Sequence, residues 1–135
     1  MNVSIIYFSS TGNTADLATI ISDYYKGAAS VSTFDSVDQN WENSDLIFLG
    51  TPAQGTEEVD DTNFLPFIES NFEKLSNKKI IFFGSYGWGG GQYLNDFAEQ
   101  CKSNGLNIVT VITQEENPDS QTFDNISSIL SELNL

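Results

Sequence analysis

Four short and almost continuous apolar runs divide the chain, and they constrain its fold more than any other feature. They cover residues 3–8, 45–51, 78–84 and 107–113 and are dense in β-branched and aromatic side chains. Runs of this length and composition are typical of strands covered on both faces, as in a parallel sheet. Residues 30–34 alternate in polarity and predict a weaker fifth strand.

Segments of helical periodicity lie between these runs. We expect a short helix over residues 35–41 and an end near Gly105 for the helix that contains Cys101. Asn117 and Pro118 are expected as the N-cap and first residue of the last helix. The apolar stripes that indicate amphipathic helices are Leu17, Ile20, Ile21, Tyr24 and Tyr25; Phe64, Ile68, Phe72 and Leu75; Leu94, Phe97, Ala98 and Cys101; and Phe123, Ile126, Leu130 and Leu133.

Strands that alternate with helices through right-handed crossovers predict an α/β fold. The expected architecture is an open, doubly wound sheet of five parallel strands with helices on both faces. A length of 135 residues fits a single domain, residues 1–135. Ligands bind such sheets beyond the carboxyl ends of the strands. A site is therefore expected in the loops that follow residues 8, 51, 84 and 113.

The charge of the chain excludes several classes of function. Nineteen acidic residues face five lysines, with no Arg and no His, for a net charge of −14. This balance argues against nucleic acid and anionic membranes as partners, because both attract basic surfaces. Without His, the chain lacks the Ser/His/Asp and Cys/His triads and the ligands of most zinc sites, so we expect no metal site.

The single cysteine bears on the compartment. Cys101 cannot form an internal disulfide, so nothing indicates an oxidising environment. The first apolar run is too short for a signal peptide, and no run approaches the length of a membrane span. We therefore expect a cytoplasmic protein.

The loop after the first strand combines hydroxyls with backbone N–H groups at the start of a helix. Such a loop can cradle an anion without a cationic side chain, although an ordinary polar turn would have a similar composition. The P-loop pattern is absent, because no Gly-Lys-Ser/Thr follows. We name it the hydroxyl loop; its residues are Ser9, Ser10, Thr11, Gly12, Asn13 and Thr14.

Two further loops have unusual compositions. Residues 51–61, the acidic loop, hold four carboxylates within five positions and one glycine, Gly55. Residues 84–91, the glycine loop, hold two aromatics, Tyr86 and Trp88, among five glycines. Glycines let a backbone approach a ligand closely, and exposed aromatics stack on ligands. The alternatives are a solvated charge run and a flexible loop whose aromatics pack back on the core.

These loops resemble those of the flavodoxins. The sequence SSTGNT resembles the family's phosphate loop, and GSYGWGGG resembles the second isoalloxazine loop of its short-chain branch. The similarity covers the whole chain, including the stretch FLPFIE after the acidic loop. It implies strand order 2-1-3-4-5, non-covalent FMN, and low-potential one-electron transfer between redox proteins through a neutral semiquinone. It also implies a carrier and not an enzyme.

The resemblance implies a role for each loop residue. The hydroxyl loop would hold the FMN phosphate, Trp88 would stack on the outer flavin face, and Glu57 would accept from flavin N3–H. Gly87 and Gly89 would bring N–H groups to the pyrimidine edge, and the Gly55 carbonyl would lie near N5. Further cofactor-binding residues are then Pro52, Ala53, Gln54, Thr56, Ser85, Tyr86, Gly91 and, in the last loop, Asn117.

One residue departs from the family pattern. The position before the glycine of the acidic loop is commonly apolar or aromatic and covers the inner flavin face; here it is Gln54. Its stem can still cover the ring, but its amide adds polarity. FMN affinity and both potentials are the properties that this departure affects.

Proteins with other functions share the same topology. The chain lacks the residues that a response-regulator receiver requires and those that a low-molecular-weight phosphatase requires. A specialised flavoprotein, such as an activator of ribonucleotide reductase, and a cofactor-free binding module remain open. The net charge favours redox partners with basic docking faces, such as a flavin-dependent NADP reductase and a downstream reductase, and a monomeric protein.

Overall fold

The five predicted strands form one parallel sheet. A computed structural model describes residues 1–135. The sheet has the order β2-β1-β3-β4-β5 and every neighbouring pair is parallel, which confirms the predicted fold class and strand order. The strands are β1 (Val3–Tyr7), β2 (Ser30–Thr33), β3 (Leu46–Gly50), β4 (Lys79–Tyr86) and β5 (Asn107–Glu115).

Helices cover both faces of the sheet. One face packs on α1 and α5 in a cluster of 12 buried hydrophobic residues, and the other packs on α2 and α4 in a cluster of 15. Successive residues of β3 point to opposite clusters, which is why its apolar run is continuous. No helix is long and apolar enough to cross a membrane. The helices are α1 (Asn13–Tyr24), α2 (Phe64–Ser70), α3 (Phe72–Leu75), α4 (Gln92–Ser103) and α5 (Thr122–Glu132).

Four side chains away from the site have packing roles. Cys101 is buried in the second cluster, and burial raises the pKa of its thiol to about 11, so it behaves as a small apolar residue. Trp41 is only 3% exposed and packs 5.2 Å from the ring of Phe67. Tyr24 and Tyr25 pack edge to face at 5.0 Å.

The structure corrects three helix predictions. The stripe from Phe64 to Leu75 forms two helices, because Asn71 leaves helical geometry and its amide donates to the Phe67 carbonyl at 2.9 Å. In place of a helix over residues 35–41, two short 3-10 turns occupy Phe34–Ser36 and Gln39–Asn43.

The last helix begins later than predicted. β5 continues to Glu115, and α5 begins at Thr122, so Asn117 and Pro118 lie outside it. A local turn brings the N–H of Asp119 to the Thr122 hydroxyl at 2.9 Å and so sets the start of the helix. Of the predicted stripe, Ile126 and Leu130 are buried, whereas Phe123 and Leu133 are exposed.

Candidate functional site

The hydroxyl loop lies between β1 and α1, and two of its hydroxyls hold the loop itself. Ser9 Oγ accepts from the N–H groups of Gly12 and Ala15 at 3.1 and 3.2 Å. Thr14 is fully buried, and its Oγ1 lies 3.2 Å from Ser85 Oγ on β4. Gly12, at φ 97°, makes the left-handed turn into α1. The accessible groups of this loop are thus those of Ser10, Thr11 and Asn13.

A cleft of about 200 Å³ lies between the hydroxyl loop and the ends of β3 and β4. The hydroxyl, acidic and glycine loops all contribute to it, and the last loop contributes Glu116 in place of the expected Asn117. The residues that line it are Ser10, Thr11, Asn13, Pro52, Ala53, Ser85, Tyr86, Gly87 and Glu116. Residues of the predicted loops thus line a cleft at the carboxyl ends of neighbouring strands.

A second cleft, of about 430 Å³, lies on the other flank of the hydroxyl loop. Thr33, Phe34, Asp35 and Asn63 line it together with the end of β1. No residue of the acidic or glycine loop contributes to this cleft. The smaller cleft is the candidate site, because three of the predicted loops meet there.

The acidic loop carries a tight turn held by its own backbone. Gln54 and Glu58 exchange reciprocal N–H to carbonyl hydrogen bonds of 2.7 and 2.8 Å. Only three residues, 55–57, lie between them, and both Gly55 (φ 55°) and Glu57 (φ 60°) are left-handed. A left-handed backbone costs a residue with a β-carbon about 1–2 kcal/mol. Glu57 therefore stores strain at the tip of the loop.

Asp60 fixes the far end of the acidic loop. Its side chain is 3% exposed and accepts from the N–H groups of Asn63 and Phe64 at 2.7 and 2.9 Å and from the Thr62 hydroxyl at 2.9 Å. Burial alone would raise its pKa, but these hydrogen bonds outweigh burial and hold the pKa below its usual value. Its own N–H donates to Thr51 Oγ1 at 2.9 Å. The two ends of the loop are thus tied together.

Glu57 has a buried carboxylate oxygen without a donor. Its Oε1 is inaccessible to solvent and makes no hydrogen bond. Gly89 of the glycine loop lies beside it, because a β-carbon at Gly89 would be 3.2 Å from this oxygen. A buried acceptor without a partner is costly. The arrangement suits a ligand that presents an N–H between the two loops.

The glycine loop is the exposed side of the site. β4 extends through Tyr86, two residues beyond the predicted end, and residues 87–90 are exposed. Trp88 is 62% exposed, which makes it the most exposed large hydrophobic residue after Met1. Gly91 does not line the cleft: it is buried, and a β-carbon there would lie 2.8 Å from Thr113 Oγ1 on β5.

Tyr93, in the first turn of α4, is a site residue that the sequence reasoning missed. Its hydroxyl donates to the Thr51 carbonyl at 2.7 Å and lies 3.3 Å from the Ser85 carbonyl. Burial, together with the charge of Glu57, raises the pKa of Tyr93 far above its usual value, so the hydroxyl keeps its proton. A tyrosine directly before the Leu94 stripe was the available signal, but its partners lie in other loops.

Positive charge is absent from the site end of the molecule. All five lysines lie toward the amino ends of the strands: Lys26 follows α1, Lys74 lies in α3, Lys78 and Lys79 lie at the start of β4, and Lys102 lies in the last turn of α4. The acidic and hydroxyl loops lie at the opposite end. An anion in the cleft would therefore be held by N–H and O–H dipoles alone.

Comparison with known proteins identifies the family. The flavodoxin family matches residues 5–127. The flavodoxin of Clostridium beijerinckii is 36% identical over 127 residues, covering 90% of this chain and 92% of its own, and that of Megasphaera elsdenii is 36% identical over 122 residues, covering 87% and 89%. The solution structure of the two-electron reduced Megasphaera elsdenii flavodoxin superposes with a TM-score of 0.83 at 31% identity and covers 96% of this chain and 98% of its own. The chain belongs to the flavodoxin family, whose cofactor is FMN.

Proposed function

We propose that this protein is a low-potential one-electron carrier that shuttles electrons between redox proteins through non-covalent FMN, which cycles via its neutral semiquinone. The observation that carries the proposal is the buried, unpartnered Oε1 of Glu57, which faces the glycine loop beside a cation-free hydroxyl loop. FMN has the two groups that such a site lacks: an imide N–H and a phosphate. When bound, FMN supplies the redox chemistry.

Residues of the cleft and of the two loops beside it fit the two ends of FMN. The accessible hydroxyl and amide groups of Ser10, Thr11 and Asn13 would hold the phosphate at the N-terminus of α1. Glu57 would accept from the imide N–H, which would satisfy its orphan oxygen. Trp88 would stack on the outer flavin face, and Gln54 would cover the inner one. The remaining loop residues would contribute backbone groups and shape.

Gly55 supports a carrier of single electrons. A peptide carbonyl that turns toward flavin N5 favours the singly reduced, protonated ring, and Gly55 already has a φ of 55° that residues with a β-carbon resist. One net hydrogen bond is worth roughly 0.5–1.5 kcal/mol, or about 20–65 mV for a one-electron couple. The reciprocal bonds of Gln54 and Glu58 would confine this turn to three residues.

The separation of charges supports basic redox partners, such as a flavin-dependent NADP reductase and a downstream reductase. The acidic residues of the cleft end would attract a basic face, and the lysines lie at the other end. Complementary charge raises association rates, and salt screens it over about 8 Å at physiological ionic strength. The monomeric state and the cytoplasmic setting expected from the sequence stay predictions.

Titration with FMN and riboflavin, followed by stepwise reduction, tests the proposal. We expect one FMN per chain, tighter binding of FMN than of riboflavin, and a neutral semiquinone on the way to full reduction. Gly55→Ala should lower the maximum semiquinone fraction. Equal affinity for both flavins would contradict the phosphate site. Full reduction in one step would contradict the one-electron role.

Flavin binding together with a partner-reduction assay separates the alternative functions. A chain that neither contains nor rebinds FMN would be a cofactor-free binding module. A specialised flavoprotein, such as a ribonucleotide reductase activator, would bind FMN as well. It would be distinguished by reduction of one dedicated partner and by failure to reduce a generic basic acceptor such as cytochrome c.

A further inference from the structure

Tyr93 joins the bases of the two loops on either side of the cleft. Its side chain is 8% exposed, and its hydroxyl contacts the carbonyls of Thr51, at the start of the acidic loop, and Ser85, near the end of β4. Thr51 directly follows β3 and Ser85 lies in the neighbouring β4. The two segments stay hydrogen-bonded here, because the N–H of Thr51 donates to the Phe83 carbonyl and that of Ala53 to the Ser85 carbonyl. The Tyr93 hydroxyl thus contacts one carbonyl of each segment, an arrangement that we call the Tyr93 bridge.

Gly84 of β4 lies directly beside the Tyr93 hydroxyl and has no room for a side chain. A β-carbon at Gly84 would lie 1.9 Å from the Thr51 carbonyl oxygen and 2.2 Å from the Tyr93 hydroxyl. Backbone atoms cannot move aside at such distances, so only glycine is compatible with this contact. The close approach of the Thr51 carbonyl, together with the Tyr93 hydroxyl, therefore explains why this buried strand position is glycine.

The bridge also continues toward the hydroxyl loop. The Ser85 carbonyl accepts from the N–H of Ala53 at 2.9 Å, and the Ser85 hydroxyl lies 3.2 Å from that of Thr14. Three residues that line the cleft are therefore linked to the bridge. Ser85 is part of it, Ala53 is hydrogen-bonded to the Ser85 carbonyl, and Pro52 directly follows Thr51. Ser10 and Thr11 have no such link to it, and Asn13 is joined to it only through the neighbouring Thr14.

We propose that Tyr93 is a positioning residue that fixes the spacing of the acidic and glycine loops for the ring of the flavin and leaves phosphate binding untouched. The inference rests on the proposed binding of FMN. Tyr93 acts through the carbonyls of Thr51 and Ser85 and does not itself line the cleft. Its loss should therefore affect every ligand that contains the ring, by the same factor.

Tyr93→Phe keeps the aromatic packing and removes only the donor. It leaves the Thr51 carbonyl buried without its partner, and the affinities for FMN and riboflavin should each fall by roughly three- to tenfold. Protection of the apoprotein against unfolding by inorganic phosphate should be unchanged. The visible absorption band of bound FMN should also shift, since the ring would meet a less fixed environment.

Tyr24→Phe is the matched control. Its hydroxyl makes a 3.3 Å contact with Ser131, away from the cleft, and its removal should change neither affinity nor spectrum. If Tyr93→Phe apoprotein does not fold alone, the affinities are measured from ligand-driven refolding, because a ligand specific for the folded chain stabilises it according to its concentration and Kd.

Three outcomes would overturn the inference or its basis separately. Unchanged flavin affinity and absorption in Tyr93→Phe would show that the bridge is structural only. An equal loss of phosphate protection would show that it supports the whole cleft and has no selective role. Failure of the wild type to bind FMN would instead refute the proposed function, whatever the variant does.

Discussion

The two loops that face each other across the cleft are held in opposite ways. The acidic loop is fixed at Thr51 by the Tyr93 bridge, at Asp60 by buried hydrogen bonds, and at its tip by the reciprocal bonds of Gln54 and Glu58. In the glycine loop, residues 87–90 are exposed and no side-chain hydrogen bond reaches them. One side of the site is therefore set before a ligand arrives, and the other can adapt to it.

Among the substitutions considered, Asp60→Ala should have the largest effect on the difference between the two loops. The change removes the acceptor for two buried N–H groups at the start of α2, and we expect the free energy of unfolding to fall by about 2 kcal/mol. The acidic loop would then be as loosely held as the glycine loop, and FMN would bind more weakly. Urea unfolding of the apoprotein and calorimetric titration of FMN measure both effects.

Asp61→Ala is the control for this change. It removes the same charge from the neighbouring exposed position, whose side chain makes no hydrogen bond. If both variants lose the same stability, the effect comes from loop charge and not from the hydrogen bonds of Asp60.

Trp88→Ala should act on the other side of the cleft. Because Trp88 is 62% exposed, its removal should leave the stability of the apoprotein unchanged. The loss of stacking and of the area that it would bury should raise the Kd for FMN about tenfold or more. Leu133→Ala, which truncates another exposed apolar side chain directly after α5, should change neither property. Unchanged FMN affinity in Trp88→Ala would mean that this side of the cleft does not contact the ring.

Glu57→Gly should separate the effect of backbone strain on stability from the effect of the Glu57 carboxylate on FMN affinity. Glycine relieves the left-handed backbone, so the apoprotein should gain about 1 kcal/mol in stability. FMN should bind more weakly, because the acceptor for its imide N–H is gone. Lys26→Gly relieves a similar φ of 55° far from the cleft and should stabilise the apoprotein without altering FMN affinity. If Glu57→Gly binds FMN as tightly as the wild type, the orphan oxygen has another role.

The smallest expected effect is a dependence of folding stability on pH through Asp60. The folded pKa of Asp60 is lower than its unfolded value, so its charge stabilises the folded state above the unfolded pKa, near 3.8. This contribution is lost as the pH falls from there through the folded pKa. The difference in stability between wild type and Asp60→Asn should therefore shrink over that range and stay constant above pH 5. A difference that does not change with pH would show that the charge of Asp60 is not what fixes the loop.

The sequence predicted the sheet because its central strands are buried on both faces. Runs such as 45–51 contain side chains for two cores, and no helix or exposed strand needs that composition. The predicted ends of β4 and β5 were less accurate, because both strands continue two residues further. The added residues are polar or half exposed, yet they pair in register: Ser85 with Gln114 and Tyr86 with Glu115. Pairing partners far away in sequence decided their conformation.

The site was predicted in its loops but not in its internal supports. Composition indicated that the hydroxyl, acidic and glycine loops would meet, because parallel strands end at one edge of the sheet. It could not indicate that Ser9 and Thr14 support the loop from inside, nor that Tyr93 contacts a carbonyl 42 positions away. Such contacts depend on distances between separate elements, which periodicity does not contain.

The two tryptophans give the chain a pair of built-in optical reporters. Trp41 lies in the core and Trp88 beside the cleft, with exposures of 3% and 62%. Emission from Trp88 should be quenched by iodide and sit at longer wavelength, whereas emission from Trp41 should be blue-shifted and insensitive to iodide. A single unlabelled sample can thus follow unfolding of the core and occupancy of the cleft as two separate signals.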